Sequence, residues 1–352
     1  MTVVHPAPRS PRTFGVEEEV ALLEPASLDP VDVAEEVLAE VERGVEGRVS
    51  HEFLRSQLEL STPVLVDAPT ADRVLRRWRS AVGAAAERRG LVAASVGTPI
   101  GRERSRVSDG DRYARFDELL GAARPDHRIQ GLHVHVAVRS RDEGVAVLRA
   151  MRPWLAPLLA LSANSPCFDG RDTGFASWRT IVGRRFTTAS VPPDFADAAD
   201  YERRVRAIVG LGATIDEHSL FWMARLPEHY PTVELRVFDA QLRADETVAL
   251  ALLSRALVET AAAGELPHAA AARQPELLDA AVWHAARHGT EADLVDPASA
   301  SAAPAWVVIE RMLGAARPAL EATRDWERVA AFAARVRAEG WLFYTSDAAD
   351  DP

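Results

Sequence analysis

The sequence predicts an α+β fold in which an antiparallel sheet is backed by helices. Three observations lead there. Four segments with two-residue alternation, 13–23, 54–60, 131–138 and 231–239, are spread through the first two thirds of the chain. The stretch 243–340 is Ala-rich and helical in spacing throughout. No repeat or low-complexity linker divides the 352 residues. One domain over 13–340 is therefore expected, after a loose arm at 1–12 and before an atypical tail at 341–352.

Composition narrows the function classes. The formal net charge is −11 and no basic block offsets it, which argues against nucleic-acid binding. All 41 basic residues are arginine, so any bound phosphate must be held by guanidinium groups, backbone amides or metal. The single cysteine, Cys167, has no partner for an internal disulfide, and a packed thiol is its simplest reading. No N-terminal apolar run resembles a signal peptide or a membrane span, so a cytoplasmic protein without a membrane partner is expected.

The first strand sets the chemical question. Along 13–23, Glu17 and Glu19 point to one face and Val16, Glu18 and Val20 to the other. Two carboxylates sharing a face repel, and their burial is costly unless a cation lies between them. A bound divalent ion and a solvated acidic edge strand both fit this segment.

A helix is predicted over 31–41, then a strand over 54–60 that places Gln57 and Glu59 on one face. A long helix follows over 70–89, with Thr70 as its cap and Gly90 just past its end. A short strand at 91–95 leads into a charged, Gly-flanked loop at 101–110 that reads as mobile. The clearest alternation is 131–138, which puts His133 and His135 on one face. Paired imidazoles of this kind serve a metal or a substrate, or simply pack.

Pro153 and Pro157 should bend or interrupt a helix over 142–162. The segment 170–179 concentrates Asp172, Thr173, Ser177 and Arg179, a composition suited to anion contact or to a capped turn before a helix. Beyond a helix at 200–211, the strand 231–239 aligns Thr232, Glu234 and Arg236 on one face. Four more helices are predicted at 247–263, 275–288, 305–320 and 326–339.

Taken together, Gly15-Val16-Glu17-Glu18-Glu19, Gln57 to Pro63, Gly131 to Val136, Asp172-Thr173-Gly174 and Pro231 to Arg236 resemble the motifs of glutamate-cysteine ligase family 2, the carboxylate-amine ligases. They occur in the family's order over roughly 13–340. The resemblance implies a glutamine-synthetase-like catalytic fold whose antiparallel, saddle-shaped sheet carries the site on its concave face. It implies ATP and Mg²⁺ or Mn²⁺ as cofactors, and an acyl phosphate that an amine converts to an amide. Glutamate-like acids and cysteine-like amines are the family's default substrates, and relatives often assemble as dimers, so a homodimer is compatible.

On that basis Glu17, Glu19, Glu59, His133 and Glu234 are expected around the metal ions, and Glu234, Arg236 and Arg179 in catalysis. His135, Asp172, Thr173, Thr232 and Gln57 are expected at the substrate. Met223, Leu226 and Ser190 depart from the family's usual residues, which bears on the substrate pocket. The run from Leu342 to Pro352 also departs, and resembles a translated sequencing adapter, which implies a non-native tail. Two other readings share the metal-nucleotide site: a phosphotransferase on a related guanidino-kinase-like fold, and a non-catalytic nucleotide-binding relative.

Overall fold

The computed structural model describes residues 11–42, 44–267 and 269–340. The arm at 1–10 and the tail at 341–352 lie outside the described residues. Its strands in chain order are β1 (Phe14–Leu23), β2 (Arg48–His51), β3 (Gln57–Ser61), β4 (Val92–Ala94), β5 (Gly131–Ala137), β6 (Cys167–Phe168), β7 (Arg171–Asp172), β8 (Ala224–Arg225), β9 (Thr232–Asp239), β10 (Asp293–Asp296) and β11 (Ser301–Pro304). The helices are α1 (Ala34–Val41), α2 (Ala68–Glu87), α3 (Asp111–Leu120), α4 (Arg141–Met151), α5 (Leu155–Ser162), α6 (Trp178–Gly183), α7 (Ala198–Gly210), α8 (Ala244–Ala262), α9 (Pro275–His288), α10 (Ala305–Ala322) and α11 (Trp326–Glu339).

Seven strands form one sheet in the order β2-β3-β1-β5-β9-β8, with β4 also pairing with β1, and every pairing is antiparallel. β1 is central because it serves three neighbours. Its first half, to Glu18, pairs with β5, its middle with β3, and Ala21 to Leu23 with β4.

One face of the sheet is apolar. Val16, Val20, Leu22, Leu58, Leu60, Leu132, Val134, Val136, Val233, Leu235 and Val237 are all buried in the main core. Helix α8 packs on β1 and β5, α4 and α5 on β9, and α2 on β4. Helices α10 and α11 then pack on α8, and α9 on α5. Being enclosed by sheet and helices, α8 is apolar nearly all round rather than two-faced. The span 141–162 is long and apolar enough to cross a membrane, but most of it is buried inside this core.

Several local expectations change. Helix α2 starts two residues early, because Asp67 rather than Thr70 is its cap and accepts from Thr70 N at 2.8 Å, with Pro69 in the first turn. The second acidic strand begins at Gln57, since Leu54 to Gln57 closes a turn in which Gln57 N donates to Leu54 O. The 101–110 segment is pinned rather than loose. Asp29 accepts from the amides of Arg102 and Glu103, Asp32 accepts from Arg106, and Arg55 pairs with Asp109. At the end of the arm, Arg12 is buried and pairs with Glu143 and Glu259. Strand β2 and helix α3 had too little periodicity to stand out. The α4–α5 break falls at Pro153, through a short 3-10 turn.

Candidate active site

The opposite face of the sheet is polar and charged, and register explains how. Glu19 lies opposite Glu59, Glu17 opposite His133, and His135 opposite Glu234. Glu17 and Glu19 are two apart on β1 and His133 and His135 two apart on β5, so with their cross-strand partners Glu59 and Glu234 a single face collects all six. A register shift between Leu132 and Val134 brings Arg236 toward His133, with 3.4 Å between Nη1 and Nδ1.

Three overlapping groups of possible metal ligands result: Glu17, His135 and Glu234; Glu17, Glu59 and His133; and Glu19, Glu52 and Glu59. Glu17 and Glu59 each belong to two groups. His133 Nδ1 lies 3.1 Å from Glu17 Oε2, and His135 Nε2 lies 3.3 Å from Glu17 Oε1 without hydrogen-bond geometry. That imidazole nitrogen is buried and has no other partner among the described residues.

The ionisation pattern shows a site short of positive charge. Burial pushes the Glu19 carboxyl up to about 8, with Glu52 adding to it, and pushes Glu59 well above the usual carboxylate range, with Glu17 as the next cause. Burial also raises Glu52. Burial acts the same way on Glu17 but is overcome there by the hydrogen bond from His133 and the attraction of the nearby His135 imidazole, and Glu17 ends below the usual range. His133 is lowered to about 4 by burial and by Arg236, so it is neutral and free to ligate. His135 is raised despite its burial, by its contact with Glu17. Carboxylate oxygens gathered with two imidazoles on one buried face are a donor set that fits hard divalent ions.

Glu234 is different. Burial disfavours its charge, yet Arg225 and Arg236 hold it well below the ordinary range. Arg225 grips it with two nitrogens, at 2.7 and 3.2 Å, and also donates to the carbonyl of Leu220 at 2.9 Å. Arg236 completes the clamp on Glu234 from the same strand. The Arg236 guanidinium lies 5.9 Å over the Phe221 ring, at the edge of a small aromatic core of Phe53, Phe116 and Phe186.

Arg179 reaches the same face from the start of α6. Its Nη2 donates to Arg236 O at 3.3 Å, its Nη1 lies 3.9 Å from Asp239, and its Nε has no partner among the described residues. Gly131 makes the approach possible, because a Cβ there would stand 2.5 Å from Arg179 Nη2. Asp239, fully buried, positions the loop that carries Arg179. It accepts from Asn164 N at 2.9 Å, Ser165 Oγ at 2.7 Å and Ser177 Oγ at 2.9 Å, and Ser177 in turn caps α6. Glu19 is fixed in a similar way, by Gly131 N at 2.7 Å.

The remaining sequence-predicted residues take more local parts. Thr232 Oγ1 lies 3.2 Å from His135 Nδ1 and orients that ring. Gln57 is buried, and its amide bridges Ile129 O and Leu54 N, which ties β3 to the chain before β5. Thr173 donates to Pro166 O across the open end of the β6–β7 hairpin, and Asp172 accepts from Gly174 N in the turn that follows β7. Met223 and Leu226 pack in the main core beside β8, so their departure from the family affects packing rather than a pocket. Cys167 is half-buried and burial raises its thiol, in keeping with a packed, unreactive role.

Sequence reading missed Glu52, Arg225 and Asp239. Glu52 follows a four-residue strand and Arg225 sits in a two-residue one, both too short to show alternation. Asp239 closes the β9 pattern, where nothing distinguishes a buried carboxylate from a capping one.

The chain thus forms an antiparallel sheet with helices on one face and clustered carboxylates on the other. The fold matches a solved glutamate–cysteine ligase from Francisella tularensis in complex with AMP, at a TM-score of 0.68 and 11% identity over 94% of this chain and 82% of that one. It also matches a bifunctional glutathione synthetase from Pasteurella multocida, at a TM-score of 0.66 and 17% identity, where 93% of this chain spans about half (48%) of that longer one. The family model described as glutamate-cysteine ligase family 2 matches residues 13–341, and the chain belongs to that family. A Saccharopolyspora erythraea relative, provisionally named glutamate–cysteine ligase 2-2, is 42% identical over 92% of this chain and 85% of its own length. A Salinispora arenicola relative, provisionally named glutamate–cysteine ligase 2, is 39% identical over 93% and 87%.

Proposed function

We propose that this ligase-type enzyme joins a glutamate-like carboxylate to an amine such as cysteine, using ATP and Mg²⁺ or Mn²⁺. The observation that carries the reading is the shared face on which Glu17, Glu19, Glu59, His133 and Glu234 converge beside Arg179 and Arg236. In the overall chemistry, the γ-phosphoryl group of ATP passes to a carboxylate oxygen and ADP leaves. The amine nitrogen then attacks the acyl carbon, the C–O bond to phosphate breaks, and the amide, phosphate and a proton are released.

Both reactants of the first step are anions, so the site must neutralise charge before they can approach. Glu17, Glu19, Glu59, His133 and Glu234 would hold the divalent ions, with His135 and Glu52 completing the groups. When bound, those ions supply charge neutralisation and orient phosphate oxygens. Arg179, with an unpartnered Nε, offers a guanidinium to an anion at the same face. Arg236 is held by Glu234 and so presents a fixed positive charge rather than a mobile one. Thr232 keeps His135 aimed at Glu17.

ADP release by the purified protein with Mg²⁺, ATP and glutamate, with and without a panel of amines including cysteine, tests the proposal. Amine-stimulated ADP release with a new amide, lost in Glu234→Ala, is expected. A stable phosphorylated acceptor would indicate a kinase instead, and nucleotide binding without turnover a non-catalytic protein. Arg236→Ala is expected to abolish turnover while ATP affinity persists.

A further inference from the structure

Away from the acidic face, three exposed side chains converge. His218 belongs to a 3-10 turn, Glu217–Ser219, and Glu228 and His229 lie in the loop before β9. His218 Nδ1 is 3.5 Å from Glu228 Oε2, and His229 Nε2 is 3.7 Å from that same oxygen. One ligand atom from each of the three lies within 4.8 Å of the others, and the two rings are 5.3 Å apart.

We propose that His218, Glu228 and His229 form a second metal site, distinct from the acidic centre, for a borderline divalent ion of the Zn²⁺ class. Ligand atoms about 2.0–2.2 Å from a tetrahedral ion stand roughly 3.4 Å apart, close to the two measured separations. Two imidazoles and one carboxylate suit Zn²⁺, whereas Mg²⁺ prefers an all-oxygen shell with retained water. With side chains about half exposed, the group leaves a fourth position open to water.

The turn that carries His218 is itself fixed. Asp216 caps the turn through Ser219, and Arg225 Nη1 donates to His218 O at 2.5 Å. An ion would therefore staple the turn to the loop at a corner already built on Arg225, the residue that grips Glu234. The site itself does not depend on the ligase reading.

The test is Zn²⁺ titration of untagged protein at pH 7.5 against a chromophoric chelator, in saturating Mg²⁺ so that the acidic centre is occupied. Wild type is expected to bind one more Zn²⁺ than His218→Ala/His229→Ala, with a rise in Tm of about 2 °C that the variant lacks. Glu17→Ala should retain this equivalent. Both replaced side chains are exposed, so an unchanged metal-free Tm would verify an intact variant. Equal Zn²⁺ binding by wild type and the double variant, or binding removed only by Glu17→Ala, would overturn the proposal.

Discussion

The two faces of the sheet handle buried charge in opposite ways. On the helix face, Glu18 is fully buried and has a dedicated set of partners. Arg79 from α2 donates to both of its oxygens, Thr247 from α8 donates at 2.7 Å, and Arg79 also donates to Leu242 O and Gln241 O. On the other face, one residue to either side along the same strand, Glu17 and Glu19 share neighbours with Glu52, Glu59 and Glu234. Carboxylates there outnumber the cations, and several are driven to hold protons. A complete ion pair ties elements together; an incomplete one is what a ligand can finish.

The comparison can be broken at several points. Glu59→Ala removes a member of two candidate metal-ligand groups, and activity is expected to fall by at least about 10²–10³-fold, read in the ADP-release assay, with the fold retained. Gly131→Ala pushes the Arg179 guanidinium off the sheet and should cost about 10²-fold in kcat, since small misplacements of a charge clamp are expensive. On the helix face, Glu18→Ala leaves Arg79 partly buried and unpaired. It should cost about 3–5 kcal/mol by denaturant unfolding. Asp67→Ala, a plain cap lost from α2, should cost only about 1 kcal/mol by the same measurement.

The pH dependence of the metal-free protein separates the faces further. Glu19 holds its proton up to about 8 when folded and loses it when unfolded, so unfolding releases a proton between its ordinary pKa and that value. His135, raised in the folded state, acts in the same direction as pH passes its ordinary value. His133 and His127, each lowered to about 4, act only below about 6.5. Stability without metal should therefore fall as pH rises from about 6.5 to 8. Thermal melts with a chelator would check this, and added Mg²⁺ should remove the decline.

Much of this was legible in the sequence because strand alternation is a strong signal. Glu17, Glu19, Glu59, His133, His135 and Glu234 each stand at an alternating position, and pairing brings them together. Gln57, Asp172 and Thr173 each bond the backbone, a role that their sequence positions do not distinguish from a substrate contact. Arg225 and Glu52 show another limit, since Arg225 lies in a two-residue strand and Glu52 just past a four-residue one, both too short for alternation to stand out. Asp239 acts through the distant Ser165 and Ser177, and no local pattern encodes such contacts.

The central claim is that the acidic face is a cation site held partly protonated until an ion arrives. Calorimetric titration of Mg²⁺ at pH 7, repeated in two buffers of different ionisation enthalpy, tests it most directly. The account predicts binding with release of about one proton or more, seen as heat that changes with the buffer. Binding with buffer-independent heat, or no Mg²⁺ binding at all, would contradict it.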